Sequence, residues 1–328
     1  MTFVRKEIRP VELQETQNAS HRFEVVDTTR ASRLPAHLEV AAQRYDNLEV
    51  ELDPETKTYW CFMRPTGRPS FTMPMMHDIS RMQHSITRMF AERADEPEAP
   101  FHYFVFASRT PGIFNLGGDL GLFVDRIRAR DREGMTRYAH TAIEAVYRNA
   151  IAFQVPVITI GLVQGDALGG GFECALSLNM IAAERSAKMG LPEVLFNLFP
   201  GMGAYSFLTR RLDAVRAEKM IMSGRIYTAE ELYDMGVVDV LAEDGQGEET
   251  VREYIERYGN KHNAQHAMYR ARQRVKPVTL EELRDVVDIW VEATLGLSEA
   301  DLRKMLRLTA SQDRRLAAAT GSIAVAAQ

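Results

Sequence analysis

Two glutamates and three glycine-bearing segments carry the residues of this chain best suited to chemistry. Glu173 follows a triple glycine in Val163-Gln164-Gly165-Asp166-Ala167-Leu168-Gly169-Gly170-Gly171-Phe172-Glu173. Glu193 lies in Gly190-Leu191-Pro192-Glu193-Val194-Leu195-Phe196, with Phe199-Pro200-Gly201-Met202-Gly203-Ala204 just beyond. The third segment is Phe114-Asn115-Leu116-Gly117-Gly118-Asp119-Leu120. Glycines between a strand and a helix permit positive φ and let a ligand approach the backbone. N–H groups at a helix start have no helical acceptor and favour negative charge. Two such loops can aim two donors at one oxygen, an oxyanion hole in which one donor is worth ~2.7–4 kcal/mol of barrier. A thioester carbonyl passing to an enolate or a tetrahedral adduct needs that arrangement.

Each feature also has a plainer reading. A glycine loop is commonly only a tight turn. Neither a dinucleotide fingerprint nor a phosphate loop is present, because no Gly-x-Gly-x-x-Gly with a following acidic residue and no Gly-Lys-Ser/Thr occurs. Glu173, in the first turn of a predicted helix, suits a dipole partner. Glu193 suits a surface loop, yet its neighbours are apolar, and a carboxyl in such surroundings has a raised pKa that fits proton transfer near neutrality. The two glutamates are 20 residues apart, so only the fold can bring them together. Asp119 is read as a helix N-cap and Asp166 as a turn residue. Cys174 is read as packing, and Met202, Met220 and Met222 as packing or, being flexible, as lining for an acyl chain. The Arg126, Arg128, Arg130, Arg132 and Arg137 run is read as a solvated helix face. The eight histidines form no His-x-x-x-His pattern with a glutamate, so no metal site is expected. No Gly-x-Ser-x-Gly frame supports a serine nucleophile.

The elements that must position these residues follow from periodicity. Leu48–Leu52 alternates and Thr58–Met63 is aromatic and apolar, which predicts a hairpin. An amphipathic helix is predicted from Met76 to Arg93, a strand at Phe101–Ala107, and helix from Leu120 to Phe153 interrupted by the arginine-rich stretch. Strands are expected at Val157–Val163, Met180–Ala183 and Val237–Val240, extended chain at Lys188–Pro192, and a helix through Phe172–Leu178. Thr228 with Glu231, and Thr279 with Glu282, have the spacing of capping boxes. From about residue 248 the pattern is helical to about 317, broken at Pro277. Alternating strands and helices predict βαβ units, with helices dominating last. The division expected is an extension at 1–45, a core at 46–250, a helical region at 251–318 and a frayed tail at 319–328.

Bulk properties narrow the class. Hydrophobic residues make up 45% of 328 and charged residues 26%, enough for a sizeable core. The formal charge of −5 argues against a general nucleic-acid binder. Two distant cysteines preclude a disulfide framework and fit a reducing compartment. Neither a signal-peptide core nor 18 consecutive apolar residues is seen, so a cytoplasmic protein that neither spans nor binds a membrane is expected.

At the three glycine-bearing segments the chain resembles the crotonase (enoyl-CoA hydratase/isomerase) superfamily. The resemblance implies an α/β crotonase spiral of ββα units with a helical C-terminal region. It implies that Gly118 and Gly170 supply the oxyanion N–H groups and that Glu173 and Glu193 move protons, without metal or other cofactor. The same segments, with Ile289-Trp290-Val291 and Leu302 to Arg314, resemble one branch, the synthases of diffusible signal factors, cis-2-unsaturated fatty acids used in bacterial quorum sensing. That branch implies dehydration of a 3-hydroxyacyl-acyl carrier protein followed by thioester hydrolysis, with Trp290 in the acyl pocket. It also implies a homo-oligomer (trimer or hexamer) and binding to the receiver domain of a sensor kinase. Alternatives are an enoyl-CoA hydratase/isomerase of fatty acid metabolism and a non-catalytic fatty-acid or kinase-binding regulator.

Overall fold

A computed structural model describes residues 33–326, with side chains in the last helix as far as Ser311, and Asp313. Residues 1–32 of the expected extension lie outside the described residues. The rest of that extension is not irregular: α1 (Ala36–Ala41) packs on the first strand and buries Val40. The hairpin is present as β1 (Leu48–Asp53) and β2 (Thr58–Met63), antiparallel with Leu48 opposite Met63. The following helix, α2 (Met73–Glu92), begins three residues before its apolar stripe because Thr72 caps it, accepting from the Met75 N–H.

Three strand–strand–helix turns follow. The first is β3 (Tyr103–Ser108), β4 (Ile113–Asn115) and the helices α3 (Leu120–Arg128) and α4 (Arg132–Ala150). The second is β5 (Ile158–Val163), β6 (Asp166–Leu168) and α5 (Gly170–Ser177). The third is β7 (Met180–Glu184), β8 (Lys188–Gly190), a 3₁₀ turn at Pro192–Phe196, and α6 (Ala204–Arg211) with α7 (Ala214–Ser223). The chain closes with β9 (Ile226–Thr228), α8 (Ala229–Asp234), β10 (Val240–Ala242), α9 (Gly247–Tyr258), α10 (His262–Val275), α11 (Leu280–Leu295) and α12 (Glu299–Ala326). The last helix thus runs past 317 into the stretch expected to fray.

Each turn gives one strand to a six-stranded sheet, β1-β2-β3-β5-β7-β10, and one to a four-stranded sheet, β4-β6-β8-β9. The simple βαβ expectation is therefore refined to ββα units, as the resemblance implied. The large sheet is parallel beyond its first hairpin. Every residue of β2 and β5 is buried, which a parallel sheet covered on both faces requires. Alternate residues divide the core: Trp60 and Phe62 face Val251 and Ile255 of α9, whereas Tyr59, Cys61 and Met63 face the main cluster over α2, α4 and α5. Where Val237–Val240 was predicted as strand, Val237 and Val238 instead fold back on the end of α8, donating to the Leu232 carbonyl after the left-handed Gly236, and the strand starts at Val240. The Thr228 capping box is complete. At α11, Thr279 caps the Glu282 N–H, but the Glu282 carboxylate pairs with Arg210. No described helix is long and apolar enough to cross a membrane.

Candidate active site

The two glycine loops meet because strands β4 and β6 are parallel neighbours in the small sheet, and both loops leave from the C-terminal ends of those strands. Gly117 has φ 88°, and a Cβ there would lie 2.8 Å from the Leu168 carbonyl oxygen and 3.0 Å from the Gly170 nitrogen. Only glycine allows that backbone-on-backbone approach. Gly169 caps α5 with φ 52° and ψ −124°, and its missing Cβ leaves the space that Glu193 Oε1 occupies. Gly170 is the first residue of α5, so its N–H has no helical acceptor.

Glu173 is one turn into α5 and 2% exposed. It accepts from the Ala204 N–H at 3.0 Å and from the Met202 N–H. Glu193 is in the 3₁₀ turn that Pro192 starts and the left-handed Asn197 ends. Its Oε2 is buried with no hydrogen-bond partner among the described residues. Burial raises the Glu173 carboxyl well above the usual range, and the nearby Glu193 charge raises it further. Burial pushes Glu193 up to about 7. Two carboxyls that repel in an apolar site do not both ionise at neutrality, so the pair holds a proton there.

One cavity of about 50 Å³ joins these groups. Gly118, Gly170, Glu173, Glu193 and Trp290 all line it, so the structure brings together the five residues expected to form the site. The rest of its wall is apolar, with Phe123, Phe196, Leu198, Met202 and Val287 prominent. Trp290 packs edge-on to Phe123, centroids 5.3 Å apart, and its ring fills the space a Cβ on Gly201 would need. Tyr138 also lines the cavity and was not legible in the sequence, since it belongs to no motif and stands mid-helix in α4.

The helices that bring Trp290 are tied down by charge. On α11, Glu292 pairs with Arg132 at 3.0 Å and Arg284 with Glu144 at 2.8 Å, and Asp288 is hydrogen-bonded to His140 at 2.7 Å. On α12, Glu299 pairs with Arg128 at 3.0 Å and Asp313 with Arg68 at 2.7 Å. The arginine run is therefore not simply a solvated face. Arg126 and Arg137 make local pairs with Asp131 and Glu133, while Arg128 and Arg132 hold the C-terminal helices. Asp119 is the N-cap expected, accepting from the Leu122 N–H. Cys61 and Cys174 are buried free thiols. Met202 lines the cavity, Met220 is core and Met222 is exposed.

A two-sheet ββα core with paired carboxyls beside two glycine loops is a crotonase architecture. Residues 80–289 match the enoyl-CoA hydratase/isomerase family, and the chain belongs to it. It is 30% identical over 178 residues to the mitochondrial methylglutaconyl-CoA hydratase of Rattus norvegicus, covering 53% of this chain and 54% of that one. Over 129 residues it is 32% identical to the fatty acid oxidation complex subunit alpha of Pseudomonas aeruginosa, which is 39% of this chain and 18% of that protein. The chain thus spans about half the length of the methylglutaconyl-CoA hydratases it matches. Among solved structures, Pseudomonas aeruginosa DspI superposes with a TM-score of 0.59 at 22% identity, covering 74% of this chain and 86% of that one. Enoyl-CoA hydratase from Bacillus anthracis gives 0.61 at 20%, covering 78% and 93%. At these identities the likeness is one of fold.

Proposed function

We propose that this chain dehydrates a 3-hydroxyacyl thioester on acyl carrier protein and then hydrolyses the product, releasing a cis-2-unsaturated fatty acid signal. The observation that carries the reading is the Glu173–Glu193 pair, sharing an apolar cavity with the Gly118 and Gly170 amides. In the dehydration, the ionised glutamate takes a proton from C2 and the protonated one gives its proton to the hydroxyl leaving C3, forming water. The two amides hold the enolate oxygen meanwhile. In the hydrolysis, a glutamate takes a proton from water as the water oxygen bonds to the thioester carbon. The same amides then hold the tetrahedral oxyanion, and the carrier leaves as a thiol carrying that proton. One hole serves both steps because both put negative charge on one oxygen. The resemblance of the three motifs to the signal synthases, and an apolar wall suited to an acyl chain, support the signal-forming version. The similarity to methylglutaconyl-CoA hydratases favours a second reading, hydration of an enoyl-CoA without release of free acid.

Mass spectrometry after incubation with 3-hydroxydodecanoyl-acyl carrier protein separates them. Free cis-2-dodecenoic acid is the expected product. An enoyl thioester without free acid replaces this reading with the hydratase, and no change with either carrier overturns both.

A further inference from the structure

The N–H of Gly118 has to face the substrate carbonyl for the proposed reaction, and the hydrogen bonds around it explain what turns it that way. The Gly117 carbonyl accepts from the Phe71 N–H at 2.8 Å. A trans peptide points its N–H opposite to its C=O. The Gly118 N–H therefore points away from Phe71, and among the described residues it meets no acceptor. The neighbouring peptides are pinned as well. The Gly117 N–H donates to Asn115 Oδ1 at 2.8 Å, and the Asp119 N–H donates to Tyr138 Oη at 3.2 Å. The Tyr138 hydroxyl in turn donates to the Phe71 carbonyl, so one oxygen joins both strands of this small bridge. Tyr138 is 2% exposed and its ring packs edge-on against Phe123, 4.9 Å between centroids. Asn115 is 1% exposed.

We infer that Tyr138 is a positioning residue, its hydroxyl locking the Phe71–Gly117–Asp119 bridge so that the Gly118 N–H is aimed at the thioester oxygen, with Asn115 fixing the same loop from its other side. The inference rests on the acyl-thioester reading of the site. Burial raises the Tyr138 phenol far above neutrality, so the hydroxyl stays a neutral donor and acceptor throughout the working range. The loop amides are thereby preorganised, and no reorientation is required as charge develops. A single Tyr138→Phe change removes the hydroxyl and leaves the ring contact with Phe123.

The test uses the full-length protein and cinnamoyl-CoA, whose absorption moves to longer wavelength when donors polarise its carbonyl. The parent protein is expected to shift the spectrum. Tyr138→Phe is expected to lose most of that shift and to lower kcat on the 3-hydroxyacyl substrate by about 10–100-fold, with KM within about threefold. Asn115→Ala gives a second route to the same loop should the first variant not fold. The limbs of the pH–kcat profile stay in place, because the glutamates set them. A parent that leaves the probe unchanged overturns the oxyanion reading and this inference together. A parent that shifts it, with folded Tyr138→Phe and Asn115→Ala shifting it equally, overturns the inference alone. A limb that moves in Tyr138→Phe makes Tyr138 a proton donor and also overturns the positioning role.

Discussion

One wall of the cavity is made of backbone and the other of side chains. The first is the junction of β4, β6 and α5, where Gly117 lets two peptides approach more closely than a Cβ permits and Gly169 leaves room for the Glu193 carboxylate. The second is α11, where Trp290 and Val287 reach the cavity while Glu292 holds the outer face by an exposed ion pair with Arg132 and Asp288 by a hydrogen bond with His140. Backbone walls fix donors to a fraction of an ångström and tolerate almost no substitution. Side-chain walls set volume and can be re-cut. Oxyanion donors thus sit on the backbone, and side chains set the volume left beside them.

That contrast can be broken in several ways. Glu193→Gln or Glu173→Gln removes one proton carrier from the fixed side, and kcat for dehydration is expected to fall about 10²–10⁴-fold. Full dehydration and hydrolysis by either variant would end the two-glutamate mechanism. On the variable side, Trp290→Ala empties a large buried site, with a loss of about 3 kcal/mol or more in urea unfolding. Products should move toward longer acyl chains, and an unchanged chain-length profile would remove Trp290 from the pocket's function. Gly169→Ala places a Cβ against Glu193 from a conformation L residues avoid; a stability loss of about 1–3 kcal/mol is expected. It should lower kcat too, by displacing Glu193, and a variant matching the parent in kcat would show that this wall yields.

The pH dependence has two signs to check. Turnover needs one ionised and one protonated glutamate, so kcat should drop below about pH 7, where Glu193 gains its proton, and drop again once both ionise. Stability runs differently. The folded pKa of Glu193 lies above its unfolded value, so between about pH 4.5 and 7 the unfolded chain has released a proton that the folded chain keeps. Stability is therefore lost as pH rises through that window. Glu193→Gln should gain a few degrees in Tm over the parent at pH 8 and little at pH 4, and a constant offset would contradict the shift. The smallest effect is expected at the ion pairs: Arg132→Ala should leave Tm within about 2 °C of the parent, because exposed pairs contribute little.

The division between the walls also decides what was legible in the sequence. Gly117, Gly118, Gly169, Gly170 and Glu173 stand out because a strand–loop–helix junction that admits a ligand needs these types within a few positions. Glu193 was visible for its apolar neighbours. Tyr138 was not, since a tyrosine in an amphipathic helix looks the same whether it packs or braces a loop. The pairs joining Arg128 to Glu299 and Arg132 to Glu292 span 171 and 160 residues, and no local pattern reports a contact so distant. Helix α1 was lost in a polar stretch because a six-residue helix has too few turns to show a stripe. Strands β4 and β9, three residues each, are too short for an alternation to register.

The C-terminal clasp also has a consequence in time. Asp313 is bonded to Arg68 across 245 residues, and Trp290 completes a cavity whose glycine loops are formed from residues 115–119 and 165–171. Contacts of that sequence separation form late, because the intervening chain must first be ordered. As the chain emerges from a ribosome, the sheets and the carboxyl pair can assemble while the apolar groove between them still lies open. The chain thus passes through an interval in which this apolar cavity is exposed, and the docking of α11, which brings Val287 and Trp290, ends it.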